Sequence, residues 1–319
     1  MMFATRCLVI SFSVFVIVYA TLSLVVCFAW RRIWRYSQRY PVRLLANLLF
    51  ALRISPLVVA AGVTVLVTVP SFLMLEPRAI DEPVGVVPVL LTGCGAALGI
   101  FGVLNMGMAV RRASRALTLW TCDAKTVKAA AAFPVLRISR PVPAMAVAGV
   151  VRPRILLSCA AERALTREEL QAALQHEVAH ARRRDNLKKL LLRLVTFPGL
   201  SGLDVAWIEA SEMAADDAAV SSAGEALDLA AALLKLSCLA RACTPADLTA
   251  ALVHTHGAAS AINVRVGQLI AWHEQSNRSA RQCSPWYGLP AAAATVVFFS
   301  VTYSQLLVQV HTATEWLVR

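Results

Sequence analysis

Long runs without charge alternate with charge clusters along this chain. Four runs are bounded by ionisable residues: Cys7 to Trp30 with 24 residues, Ile54 to Leu75 with 22, Pro83 to Val110 with 28, and a last one whose core, Trp286 to Val310, has 25. As a helix, 24 residues extend roughly 36 Å, enough to cross a bilayer. The pattern therefore predicts four membrane spans, at about 7–30, 54–75, 83–110 and 286–310. The first run is about twice as long as the apolar part of a signal peptide and is followed by arginines, so it reads as an anchor. In the third run Gly95, Gly99 and Gly102 have the spacing that lets membrane helices approach closely.

Between the third and fourth runs lies one segment of globular size, 111–281. It opens with a basic, helix-like stretch, Arg111 to Ala132. Short β-rich runs follow at Val135–Ser139, Ala144–Val147 and Ile155–Leu157, with Gly149 and Pro153 as turn signals. They predict a small antiparallel sheet or hairpin. Thr166 with Glu169 forms a capping box, and the apolar positions Leu170, Leu174 and Val178 carry the helix on to Leu192, before Pro198 and Gly199. Further helices are expected at Asp204–Val220, Glu225–Ala240, Pro245–Val253 and Ala261–Trp272, with a polar linker at Gln275–Ser284.

Composition narrows the class. Of 319 residues 58% are hydrophobic and 16% charged, with a net charge of +12. A soluble domain of this size needs about a quarter of its residues charged, and so much apolar side chain cannot stay solvated in a disordered chain. An integral, multi-pass membrane protein carrying some globular mass remains. Arg31, Arg32, Arg35, Arg39, Arg43 and Arg53 lie between the first two runs with no acid among them, whereas the segment 76–82 is acidic. Because Lys and Arg near membrane ends favour the cytoplasm, the loop 31–53 and the segment 111–281 are expected inside, and both termini outside. Trp30, Trp34, Tyr36 and Tyr40 fit an interfacial aromatic belt. Arginines beside spans point to anionic membrane lipid as partner rather than to nucleic acid. The eight cysteines show no CxxC, which indicates neither a disulfide framework nor a thiolate zinc cluster.

The chemistry is concentrated in His176-Glu177-Val178-Ala179-His180. Two histidines four residues apart project from one helix face, so both can reach one zinc ion. Glu177 is placed to take a proton from the attacking water and return it to the leaving amine. A catalytic zinc needs a third protein ligand, and Glu212 on the next predicted helix supplies a carboxylate. Asp216, one turn later, can orient a ligand histidine. Glu209 and Asp217 read as a solvated acidic stripe. His254 and His256 are two apart and diverge on a helix, His273 reads as a helix end, and His311 lies past the last run. Charges crowd both ends of the motif, from Arg167 to Glu169 and from Arg182 to Asp185, so it does not lie in lipid. The active site is expected in the cytoplasm, close to the membrane.

These motifs come in a telling order. Gly149-Val-Val-Arg-Pro-Arg-Ile-Leu-Leu-Ser158, Leu165-Thr-Arg-Glu-Glu-Leu170, His176 through Leu187, and Glu212-Met-Ala-Ala-Asp-Asp217 closely resemble the BlaR/MecR-type membrane-anchored zinc metallopeptidases. More distantly the chain is similar to the HtpX and CAAX prenyl endopeptidase group. The resemblance implies a mainly α membrane protein of the bacterial cytoplasmic membrane, with four transmembrane helices and a cytoplasmic α+β zincin-like, gluzincin-type domain between the third and fourth spans. It implies Zn²⁺ as cofactor, His176, His180 and Glu212 as ligands, and Glu177 as base. The best-known members sense a signal outside and cleave a transcriptional repressor inside, sometimes after cutting themselves. After the fourth run only His311 to Arg319 follow, and nine residues cannot fold into the penicillin-binding domain of the antibiotic sensors. Direct antibiotic sensing is thus not expected. The expected organisation is 1–110 with three spans, 111–281 as the peptidase domain, and 282–319 with the fourth span. Two other functions compatible with the residues are membrane-protein quality control and non-catalytic signal transduction or scaffolding.

Overall fold

The computed structural model describes residues 2–37, 41–76, 85–127, 132–139, 144–195, 197–242, 258–272 and 302–315. Among the described residues three helical stretches are long and apolar enough to cross a membrane: Phe3–Arg32, Val42–Leu75 and Val86–Thr121. They contain the first two predicted runs and the third from Val86 onward. Most of the fourth lies outside the described residues, as do the linker 275–284 and the predicted helix at 245–253; the end of that run belongs to a helix at 302–315.

Each helix is longer than its charge-free run. α1 (Met2–Ser37) continues past Arg31 and Arg32, and α2 (Val42–Val63) begins well before Ile54, so much of the loop expected at 31–53 is helical. Charge decides which turns leave an apolar layer, whereas arginine is a good helix former and does not stop the backbone pattern. Arg53 is buried inside α2, its Nε donating to Asp204 Oδ1 at 2.7 Å and its Nη2 to the Val195 carbonyl at 2.6 Å.

α2 passes through a π-helical segment, Thr64–Thr68, into α3 (Val69–Leu75). Pro70 explains the irregularity, because a proline inside a helix has no N–H for the carbonyl four residues back and its ring crowds that carbonyl. That carbonyl belongs to Leu66, and it accepts instead from the Tyr303 hydroxyl of the final helix at 2.7 Å. Ser71 ties the same two helices by donating to the Leu307 carbonyl at 2.8 Å.

α4 (Val86–Thr121) joins the third run to the basic helix expected after it. Its 36 residues extend about 54 Å, more than a bilayer's thickness. Its last turns bring Leu117 and Trp120 beneath Leu136, Ile138 and Leu156 of the sheet. Of the three glycines in the third run, two are contact points. A side chain on Gly95 would meet Val16 of α1 at 2.5 Å and one on Gly102 would collide with the Leu194 carbonyl, whereas Gly99 faces open space.

The sheet has four strands in the order β1-β2-β4-β3: β1 (Lys125–Val127), β2 (Val135–Ile138), β3 (Met145–Ala148) and β4 (Arg154–Ser158). β3 and β4 form the expected antiparallel hairpin, turning at Gly149 with φ 92°. Two features differ from expectation. β2 lies parallel to β4, and β1 occupies a stretch expected to be helical. Three residues show no periodicity of their own, so Lys125-Thr126-Val127 become a strand only by pairing with β2.

Beyond α5 (Cys159–Ala164) comes α6 (Arg167–Arg183), opened by the expected capping box. The helix expected to continue to Leu192 breaks at Arg184, a non-glycine residue at φ 53°. α7 (Asp185–Leu194) restarts there, followed by α8 (Ser201–Ala219), α9 (Ala223–Ala242) and α10 (Ala258–Ile270). A left-handed arginine costs about 1–2 kcal/mol, and the Asp185 contacts described below offset it.

The segment between α7 and α8 packs among the spans. Phe197 meets Tyr19 edge-on with ring centroids 5.9 Å apart, Gly199 lies against Cys27, and Gly202 lies against Trp30. Trp207 of α8 is fully buried in a cluster with Val26, Leu45 and Leu49. The helix that carries Glu212 is thereby part of the same core as α1 and α2.

Candidate metal centre

α6 is fixed at its start by Glu169, which accepts from the Thr166 N–H and from Lys235 of α9. Its apolar face, with Leu170, Leu174 and Val178, packs on Val135, Ile155 and Leu157 of the sheet. The opposite face turns His176 and His180 toward α8, where one further turn brings in Glu212.

The three side chains converge. His176 Nε2 and His180 Nε2 are 3.1 Å apart, and Glu212 offers Oε2 at 3.6 Å from the first and Oε1 at 3.5 Å from the second. Donor atoms held 2.0–2.1 Å from a tetrahedral zinc lie about 3.3 Å from one another. The three residues form a group that could hold a metal ion.

Their outer partners strengthen the fit. Asp185 Oδ2 lies 2.7 Å from His180 Nδ1, and Asp216 Oδ1 lies 2.9 Å from His176 Nδ1, although the latter N–H does not point straight at its oxygen. A carboxylate beside Nδ1 keeps the proton there, which leaves the Nε2 lone pair free. Two such lone pairs facing each other repel unless a proton or a cation lies between them. The residues present therefore suit a divalent metal.

Asp185 reaches His180 because the left-handed Arg184 turns the chain back. It is buried, with Lys188 Nζ at 3.5 Å and Arg183 Nε at 3.6 Å. The sequence reading passed over it as one charge in a cluster; an acid five residues after the second histidine was the signal. Arg265 of α10 was also passed over. Its Nε and Nη2 donate to Asp216 at 2.7 and 2.6 Å, and its Nη1 lies 3.1 Å from Glu212 Oε2. A lone cation within the apolar run of α10 needs a buried acid, which was the available clue.

Glu177 is half-buried beside His176, and its charge acts on both His180 and Arg265. Glu209 is exposed and Asp217 pairs with Arg43 at 3.0 Å, as befits a solvated stripe. His254, His256 and His273 lie outside the described residues. His311 lies within the final helix, with Glu76 at 3.8 Å and Glu315 at 3.5 Å, and is not part of the converging group.

Burial disfavours the imidazolium form at both histidines, but the carboxylates outweigh it. Glu212 and Asp185 raise His180 to about 10, and Asp216 and Glu212 raise His176. Burial likewise works against ionised Glu212, yet His180 and Arg265 hold it well below the usual carboxylate range. In the metal-free protein the raised His180 stabilises the fold fully below the unfolded value of about 6.5 and loses that effect as pH rises toward 10. Metal ligation needs neutral imidazoles, so uptake must release protons. Zinc affinity is expected to rise between pH 6 and 8, by up to roughly tenfold per unit for each proton released. Calorimetry in two buffers of different ionisation heat measures that release, and a flat affinity without release would contradict the charged resting site.

Residues 11–269 match a family model described as BlaR1 peptidase M56. No curated protein and no solved structure matches the chain.

Proposed function

The chain belongs to the BlaR1 peptidase M56 family, and from that premise we propose that it is a membrane-anchored zinc endopeptidase with a cytoplasmic active site that cleaves a regulatory protein, by class a transcriptional repressor. The observation that carries the reading is the convergence of His176, His180 and Glu212 around one point, with Asp216 and Asp185 behind the two histidines.

In this reading His176, His180 and Glu212 hold the zinc, and Asp216 orients His176. A zinc ion held there supplies Lewis acidity toward a scissile carbonyl. Glu177 takes the proton from the attacking water and delivers it to the departing amine as the peptide C–N bond breaks. The β3 edge offers the substrate a docking strand. Ala144 uses its carbonyl to accept from the Ser158 N–H on β4 at 3.0 Å, so alternation directs the Met145 backbone outward. Asn186 closes the other end of that edge by donating to the carbonyls of Val147 and Gly149. A peptide would therefore pair at Met145, beside α6.

Topology follows from charge and is supported by contacts at one end of the bundle. Arg6 pairs with Glu76 at 2.9 Å, and His311 lies near the same carboxylate. The start of α1, the end of α3 and the final helix thus share a side, as expected if both termini face outward and 111–281 faces the cytoplasm between a third and a fourth span. Signalling is favoured over general proteolysis by the direct attachment of α8 to the spans through Trp207, Asp204 and Asp217.

The test compares protein N-termini in cells expressing the wild type or Glu177→Gln. New termini on a small set of regulatory proteins, present only with Glu177, are expected. Termini spread over many damaged membrane proteins would turn the reading to quality control, and none under any stress would leave a non-catalytic transducer.

A further inference from the structure

The charge-free runs mark where an apolar layer would end on each helix: Trp30 on α1, Ile54 on α2 and Val110 on α4. The end of α7 lies inside all three marks. Val195, just after α7, packs with Tyr19 and Ala60, 11 and 6 residues inside the first two, and the Leu194 carbonyl lies against Gly102, 8 residues inside the third. Eight residues of helix extend about 12 Å. α7 packs along α4, and its start lies on the side of the sheet, which rests on Leu117 and Trp120 near the end of α4. Asn186 is 8 residues before Leu194, about 12 Å along α7, so the two lengths cancel and Asn186 stands level with Val110, at the edge of the apolar layer.

Asn186 holds the β3–β4 hairpin by the carbonyls of Val147 and Gly149, at 3.0 and 3.2 Å. The hairpin therefore turns at the level of lipid headgroups. Gly149, with φ 92°, closes the turn tightly, since a Cβ there would meet the Arg152 carbonyl at 2.7 Å. The tip suits this level. Val151 is 89% exposed, Arg152 and Arg154 beside it are exposed, and neither arginine has an ion pair among the described residues. From Ala144 to Ser158 the chain contains no acid. An exposed valine alone means little on a protein surface. An apolar tip flanked by two cations and held at the edge of an apolar layer matches a leaflet in which anionic headgroups cover acyl chains.

The geometry points to the β3–β4 tip as a membrane-surface contact, in which Val151 enters the boundary between headgroups and acyl chains of an anionic leaflet and Arg152 and Arg154 meet its phosphates. The proposed cytoplasmic placement enters only through the charge of that leaflet. Met145 lies four residues before Gly149, about 14 Å of strand, so this contact would hold the peptide-docking edge of β3 close to the membrane.

The test uses the full chain in lipid vesicles and involves no proteolysis, so its outcome is separate from that of the peptidase reading. The photo-crosslinking residue p-benzoylphenylalanine replaces Val151, or in a reference protein Asp217, which Arg43 holds 11 residues outside Ile54. Mass spectrometry counts lipid adducts on each probe in vesicles of phosphatidylglycerol and of phosphatidylcholine with the same acyl chains. Adducts are expected at position 151 and few at 217, with a higher yield at 151 in phosphatidylglycerol. R152E/R154E should lower that yield about fivefold or more, since each basic residue at an anionic surface adds to the attraction, and R152K/R154K should keep it. Equal yields at the two positions, an unchanged yield in R152E/R154E, or an equal yield in phosphatidylcholine would overturn the contact with an anionic leaflet. Adducts joining position 151 to a second copy of the chain would overturn it in favour of a protein interface.

Discussion

Glu177→Gln is expected to lower proteolysis of the substrate about a thousandfold while leaving one zinc per chain, because a positioned general base contributes on the order of 10²–10⁴. The amide keeps the shape and the hydrogen-bonding reach of the carboxylate but cannot accept and return a proton. Zinc content should not change, since the converging group is His176, His180 and Glu212, without Glu177. Glu212→Ala is the complementary change and should lose the metal together with activity. The measurement pairs metal analysis of purified protein with cleavage rates. A Glu177→Gln protein that still cleaves at the wild-type rate would remove Glu177 from the chemistry.

Arg265→Ala should destabilise the metal-free protein by about 3–5 kcal/mol, the usual cost of leaving a buried charge without its partner. The guanidinium faces Asp216 with two bonds and Glu212 with a third contact, so its removal takes the permanent counter-charge from buried Asp216 and half-buried Glu212 and leaves them only the histidines. Zinc would restore positive charge between Glu212 and the histidines, so the metal-loaded variant should lose much less. Arg265→Lys keeps the charge but not the fork that grips both Asp216 oxygens, and an intermediate loss is expected. Thermal unfolding with chelator and with zinc reads both states. An equal loss in the two would make Arg265 a packing residue and not a counter-charge.

The readable parts of the site were those encoded within one helix. His176 and His180 needed only a spacing of four residues, and the capping box of α6 needed only Thr166 and Glu169. Glu212 was reached by asking which acid could complete a two-histidine set, and the fold brings it there. Asp185 escaped because it acts through a left-handed residue at Arg184, which the apolar periodicity running on toward Leu192 gave no reason to expect. Arg265 escaped because its partners are separated from it by all of α9 and by residues outside the described ones.

The spans divide in the same way. Length without charge determined that the first three runs would form helices long and apolar enough to cross a membrane, because a bilayer demands about 20 apolar residues in a row and satisfies backbone groups only internally. That property is local and additive, so it is written along the chain. Only the tertiary structure decided that Arg53 would be buried against Asp204, that Leu66, left without its helical donor by Pro70, would be met by Tyr303, and that α8 would join the core of α1 and α2. Each of these depends on two segments meeting at one place, and burial then makes an unmet polar group costly enough to select the partner. The histidine pair of α6 could be read from the sequence alone; the attachment of α8, which carries Glu212, to the long apolar helices α1 and α2 required the fold.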